Sequence, residues 1–130
     1  MENINDYSDK FFLLKIYFDG LDPDICEKYI SDITNQQRLV EKYINRYFIN
    51  NSKVNHSCNL DYSIDEQHIY IDSGFDLYTP SLYNVAPNSL VKVKSCIKTA
   101  MYYDSIPCGF YLYSRSSTGT KTPLRLANNV

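Results

Sequence analysis

The sequence contains no tryptophan, no CxxC pair, no internal repeat, no long apolar run and almost no excess of charge, and each absence removes a class of protein. Its four cysteines, Cys26, Cys58, Cys96 and Cys108, lie far apart, and His56 with Cys58 is a lone pair without partners at ligand spacing. A structural zinc site is not indicated, and reduced thiols in a cytoplasmic compartment are the default. The opening MENINDYSDKFF has neither a basic n-region nor a long apolar stretch, so nothing marks secretion. No run approaches the roughly 20 apolar residues of a membrane span, so no membrane partner is expected. A net charge of −2 and a pI near 5.6 lack the clustered basic footprint of a nucleic-acid binder.

What is present points to one globular domain spanning residues 1–130. Hydrophobic residues are 44% and charged residues 22%, the balance of an ordinary folded chain. A chain of this size buries roughly two-thirds of its unfolded surface, enough for one core. Tyrosine is the outlier at 13 copies, and its preference for half-buried pleated surfaces leans the reading toward strands. Charge is uneven: residues 1–65 hold 7 Lys+Arg against 11 Asp+Glu, and residues 66–130 hold 6 against 4. The mildly basic second half suits a small anionic ligand.

Along the chain, FFLLKIYF (residues 11–18) reads as a buried strand, ended by the Asp19-Gly20 turn. The period then changes. Cys26, Ile30, Ile33, Val40, Ile44 and Tyr47 recur at helical spacing, with Asp22 as N-cap and Pro23 at the first helical position. This predicts one amphipathic helix, or two broken near Asn35, covering the end of a sheet. Residues 50–66 read as a polar surface loop. HIYI, VKVK and FYLY then alternate with a period of two, separated by turn signals at Pro80, Pro87-Asn88, Pro107 and Gly109. Such spacing predicts a β-barrel or sandwich rather than βαβ units.

Two clusters carry chemistry. Arg115-Ser116-Ser117, before a Gly119-containing turn, joins a guanidinium fork to two hydroxyls, a donor set matched to phosphate oxygens. The same triplet also occurs on plain surfaces. DSGFDLYTP places Asp72 and Asp76 four apart around Gly74, and carboxylates near a phosphate site are the ligands that Mg²⁺ prefers. The alternative is a turn in which the two aspartates cap backbone amides.

Taken together and in order, the clusters resemble the signatures of the homotrimeric dUTP pyrophosphatase family. Ser73, Gly74, Phe75, Asp76 and Leu77 match its first signature: a small residue, Gly, any residue, Asp, Leu. GFYLYSRSSTGTKTPLRLANNV resembles the second signature and the lead-in to the third, especially as large DNA viruses carry them. The family usually has Pro before Arg-Ser; here Ser114 stands in its place, while Arg115, Ser116 and Ser117 match. The resemblance covers residues 69–130, with residues 11–18 as a candidate first strand, 19–66 as a helical and loop insertion, and 67–130 as the barrel portion.

The resemblance implies a mainly β fold, a jelly-roll-like β-barrel that is incomplete in this chain, and a homotrimer whose active sites are assembled from several subunits. It implies Mg²⁺-assisted attack of water on the α-phosphate of dUTP, giving dUMP and pyrophosphate. Asp76 would hold the hydrated metal with Asp72 as helper, Arg115, Ser116 and Ser117 would grip the phosphates, and Asn128 would face the uracil. The family's third signature, which supplies the general base, would begin one residue past Val130, so the chain as given is expected to lack appreciable turnover. Two alternatives stand beside this reading: a dCTP deaminase-like enzyme of the same barrel, and a non-catalytic nucleotide-binding or regulatory relative.

Overall fold

The aromatic run near the N-terminus forms a strand, as its composition predicts, but not the buried one expected: in a small open sheet its residues are exposed or half-buried. In the computed structural model, which describes residues 4–49, 69 and 71–127, β1 spans Phe12–Phe18. The chain divides into two compact units, one of Met1–Leu21 with Thr79–Val130 and the other of Asp22–Tyr78.

In the first unit β1 pairs antiparallel with β2 (Ile97–Tyr103), which pairs antiparallel with β3 (Ile106–Cys108), giving an open sheet of order β1-β2-β3. The register sets Phe12 opposite Tyr103, Leu14 opposite Met101, Ile16 opposite Thr99 and Phe18 opposite Ile97. Across the second ladder Met101 faces Cys108 and Tyr103 faces Ile106. Directly opposed residues share a face, so all these side chains line one apolar surface. The other face carries Leu13, Lys15 and Tyr17 against Tyr102, Ala100 and Lys98. There the Lys15 ammonium lies 5.0 Å from the Tyr102 ring centroid, within cation–π range.

A two-residue turn, Asp104-Ser105, joins β2 to β3, and both residues take positive φ, 47° and 66°. That is the type I′ geometry whose twist matches a hairpin. The segment before β1 is tied to this turn: the Ser8 hydroxyl donates to Asp104 Oδ1 at 2.8 Å, and the Tyr103 hydroxyl donates to the Asp9 carbonyl at 2.8 Å. After β1 the chain turns at Gly20 (φ 71°), and the Asp19 amide donates to the Cys96 carbonyl at 2.8 Å. A second turn falls at Pro87-Asn88. Asn88 has φ 56°, and the Ser89 amide closes onto the Ala86 carbonyl at 3.2 Å.

Several expected strands do not form ladders. VKVK and FYLY carry no strand pairing, and neither do the described residues of HIYI, Ile69 and Ile71. Alternation assigns side chains to faces, but a strand also needs a neighbour for its amides and carbonyls. β2 was not singled out in the sequence, because IKTAMYY alternates poorly and takes its strand state from pairing with β1. The result is a small antiparallel sheet with a helix; among the described residues the sheet does not close into a barrel.

In the second unit α1 runs unbroken over Pro23–Ile44 and continues into a π-helical turn at Asn45–Ile49. The N-cap prediction holds: the Asp22 carboxylate accepts from the Asp24 amide at 2.9 Å, and Pro23 opens the helix. No helix among the described residues is long and apolar enough to cross a membrane. The expected loop at 50–66, with His56 and Cys58, lies outside the described residues, as does Asn128.

Candidate functional site

The candidate residues fall into two groups, one on each unit. In the unit of Asp22–Tyr78, the segment from Asp72 to Tyr78 lies on one face of α1. Tyr29 is the anchor: it is fully buried, and its ring stacks on Phe75 with centroids 6.3 Å apart. The same ring meets Tyr78 edge-on at 5.0 Å. Its hydroxyl oxygen accepts from the Tyr78 backbone amide at 2.7 Å. One turn on, Asp32 accepts a short hydrogen bond from the Tyr78 hydroxyl through Oδ2. A further turn along, Gln36 Nε2 donates to the Asp72 carbonyl at 3.2 Å. Residues 29, 32 and 36 recur at helical spacing and so share one face.

These contacts perturb the two tyrosines. Burial pushes the Tyr29 hydroxyl above the ordinary 10.0; the bond from the Tyr78 amide opposes this, and the nearby Asp32 charge adds to it. Tyr78 is raised first by its hydrogen bond to Asp32, then by burial and the surrounding negative charge. Both shifts favour the protonated hydroxyls, Tyr29 accepting from the Tyr78 amide and Tyr78 donating to Asp32, and each bond gives the segment a fixed attachment.

On this segment both aspartates are exposed. Asp72 Oδ1 accepts from the Gly74 amide at 2.9 Å, so the turn-capping alternative holds for Asp72. Asp76 sits between Phe75 and Leu77, which are both half-buried, and its carboxylate side is presented outward. Exposed carboxylates are hard oxygen donors of the type Mg²⁺ takes, and Asp76 and Asp72 are the two on this segment. Among the described residues no three His, Cys, Asp or Glu side chains converge on one point. A Mg²⁺ held here would therefore draw the rest of its shell from water and ligand phosphates, as this ion ordinarily does. Gly74 does not take positive φ, and an added Cβ would meet only Asp72 Oδ1, at 3.5 Å. Glycine is thus not demanded by the local backbone.

In the other unit Arg115 is the last extended residue before a short helix, α2, over Ser116–Lys121. Arg115, Ser116 and Ser117 are all exposed, and the Arg115 carbonyl accepts from the Thr118 amide at 2.9 Å. Arg125 Nη1 donates to the Thr122 carbonyl at 3.2 Å and to the Leu124 carbonyl at 2.7 Å, which folds its guanidinium back toward α2. Lys121 is exposed in the last turn of α2.

The sequence reading missed Tyr29, Asp32 and Gln36. Of the expected apolar stripe, Ile44 is buried and Cys26, Ile33, Val40 and Tyr47 are half-buried, but Ile30 is 53% exposed and the fully buried residue beside it is Tyr29. Hydrophobicity alone favours Ile30. The available signal was the i, i+3, i+7 spacing of Tyr, Asp and Gln, which is informative only once a polar backbone segment is known to lie against it. No protein-family model matches this chain, and no curated protein or solved structure matches it significantly.

Proposed function

We propose that this chain binds a deoxyuridine triphosphate with Mg²⁺, as a dUTP diphosphatase-like domain whose full reaction yields dUMP and pyrophosphate. The observation that carries the reading is the ordered pair of motifs, SGFDL with Asp76 and RSS with Arg115. Exposure of Asp76, Arg115, Ser116 and Ser117 supports it, because a ligand needs access to all four. Arg115 would pair its planar fork with phosphate oxygens, and Ser116 and Ser117 would donate hydroxyls to the same chain. Asp76, helped by Asp72, would hold the hydrated Mg²⁺, which when bound supplies charge neutralisation along the triphosphate. Asn128 would present its amide to the uracil edge. The jelly-roll barrel and the homotrimer belong to this same reading. None of the 130 residues is assigned as the water-activating base, so binding rather than turnover is the property to measure.

Calorimetric titration with the non-hydrolysable α,β-imido analogue of dUTP tests the reading. With Mg²⁺ the analogue is expected to bind, more weakly in EDTA, and the dCTP counterpart is expected to bind more weakly than either. Absence of any binding overturns the nucleotide reading. Preference for the dCTP counterpart replaces it with the deaminase-like alternative.

A further inference from the structure

The residues assigned to metal and phosphate do not account for the polar face of α1. A helix that merely covered apolar surface would present Ile30 inward and leave Asp32 and Gln36 to solvent. Here Ile33, Val40 and Ile44 are covered as expected, yet Ile30 is 53% exposed and Asp32 and Gln36 are half-buried against the carboxylate-bearing segment. Each bond falls at a defined point of that segment. Gln36 holds the carbonyl of Asp72, at its start. Tyr29 stacks on Phe75, immediately before Asp76. Tyr29 and Asp32 together hold the amide and hydroxyl of Tyr78, two residues after Asp76. The Lys28 ammonium lies 5.9 Å from the Tyr78 ring centroid.

We propose that Tyr29, Asp32 and Gln36 are positioning residues that clamp residues 72–78 on both sides of Asp76, fixing its carboxylate for a divalent cation bridged to a triphosphate. This rests on the nucleotide reading above. Physically, a single exposed carboxylate is a weak ligand unless its backbone is already ordered, because binding otherwise has to immobilise the loop. The clamp supplies that order before any ligand arrives. Supporting groups of this kind tune metal affinity without touching the metal.

Asp32→Asn and Tyr78→Phe test the proposal, the first keeping the shape of the acceptor and the second keeping the ring against Tyr29. Mn²⁺ binding in the presence of the imido analogue is read by electron paramagnetic resonance, and analogue binding alone is read by calorimetry in EDTA. Each variant is expected to lose about 10- to 100-fold in Mn²⁺ affinity, with affinity in EDTA unchanged. Wild-type Mn²⁺ affinity in both variants overturns the clamp and leaves the nucleotide reading standing. Equal losses with and without metal, alongside a lower helical circular-dichroism signal, reduce the three residues to a folding role and also overturn it. Should Asp32→Asn not fold, Tyr78→Phe decides. A wild-type chain that binds neither Mn²⁺ nor the analogue overturns the nucleotide reading itself, before any variant is made.

Discussion

Tyr29 shows how one residue can serve two demands. Its ring supplies the fully buried surface of the second unit, and its hydroxyl satisfies a backbone amide that would otherwise lack a partner. Tyr29→Phe keeps the ring and orphans the Tyr78 amide, so a loss of about 1–3 kcal/mol in unfolding free energy is expected. Tyr29→Ala adds a cavity and should cost about 3–5 kcal/mol. Denaturant titration separates the two. Both tyrosines hold their protons more tightly in the folded state than the ordinary 10.0. Their contribution is therefore full below pH 10 and is lost as pH rises through the raised native values. Tyrosinate absorbance in a pH titration should show a late-ionising set that shrinks in Tyr29→Phe and Tyr78→Phe. On the nucleotide reading, Arg125 lies outside the Arg115-Ser116-Ser117 motif and bonds the Thr122 and Leu124 carbonyls, so Arg125→Lys should leave imido-dUTP affinity near wild type. Arg115→Lys should lower it at least about tenfold, or about 1.4 kcal/mol, because Lys cannot reproduce the planar fork. The opposite order in a binding titration would move the phosphate grip to Arg125.

At the scale of elements, a helix start and a hairpin turn differ in how far along the chain their causes lie. Asp22-Pro23 was legible because capping is settled within about four residues of chain. The Asp104-Ser105 turn was not, since the usual hairpin signal at two positive-φ positions is Asn-Gly or Asp-Gly. Serine in the left-handed region carries a steric cost of about 1–2 kcal/mol that glycine avoids. Part of that gain is offset by glycine's extra freedom when unfolded. Ser105→Gly is expected to stabilise the first unit by about 1 kcal/mol, visible as a raised denaturation midpoint with an unchanged slope. A lowered midpoint would mean that the serine side chain has a compensating role.

Across the whole molecule, the open sheet leaves much apolar surface in view. Phe12 is 64% exposed and Ile106 66%, on the same face as Phe18 at 40% and Tyr103 at 42%. Phe12 and Tyr103 shield each other in part, with ring centroids 5.0 Å apart. Contiguous exposed apolar faces of this kind bind hydrophobic dyes and promote association. The 130-residue chain should accordingly raise 8-anilinonaphthalene sulfonate fluorescence, and the double substitution Phe12→Ser with Ile106→Ser should lower that signal without abolishing the helical circular-dichroism spectrum. An unchanged signal would place the dye-binding surface elsewhere.

What the sequence determined by itself is what neighbouring residues decide between them: the strand at Phe12–Phe18, the capped start of α1, and the turns at Gly20 and Pro87-Asn88. Asp72, Asp76, Arg115, Ser116 and Ser117 are proposed from residue type and order alone, and all five are exposed. Only the tertiary structure decided which segment partners β1 and which polar side chains of α1 hold the acidic segment. The physical reason is separation along the chain. The Tyr29 and Asp32 bonds to Tyr78 span 49 and 46 residues, and the Tyr103 bond to Asp9 spans 94. Local propensity reaches only a turn or two, so it marks Ile33, Val40 and Ile44 as covered but not Tyr29. A distant strip of backbone carrying its own donors and acceptors buries Tyr29 and half-buries Asp32 and Gln36 beside it.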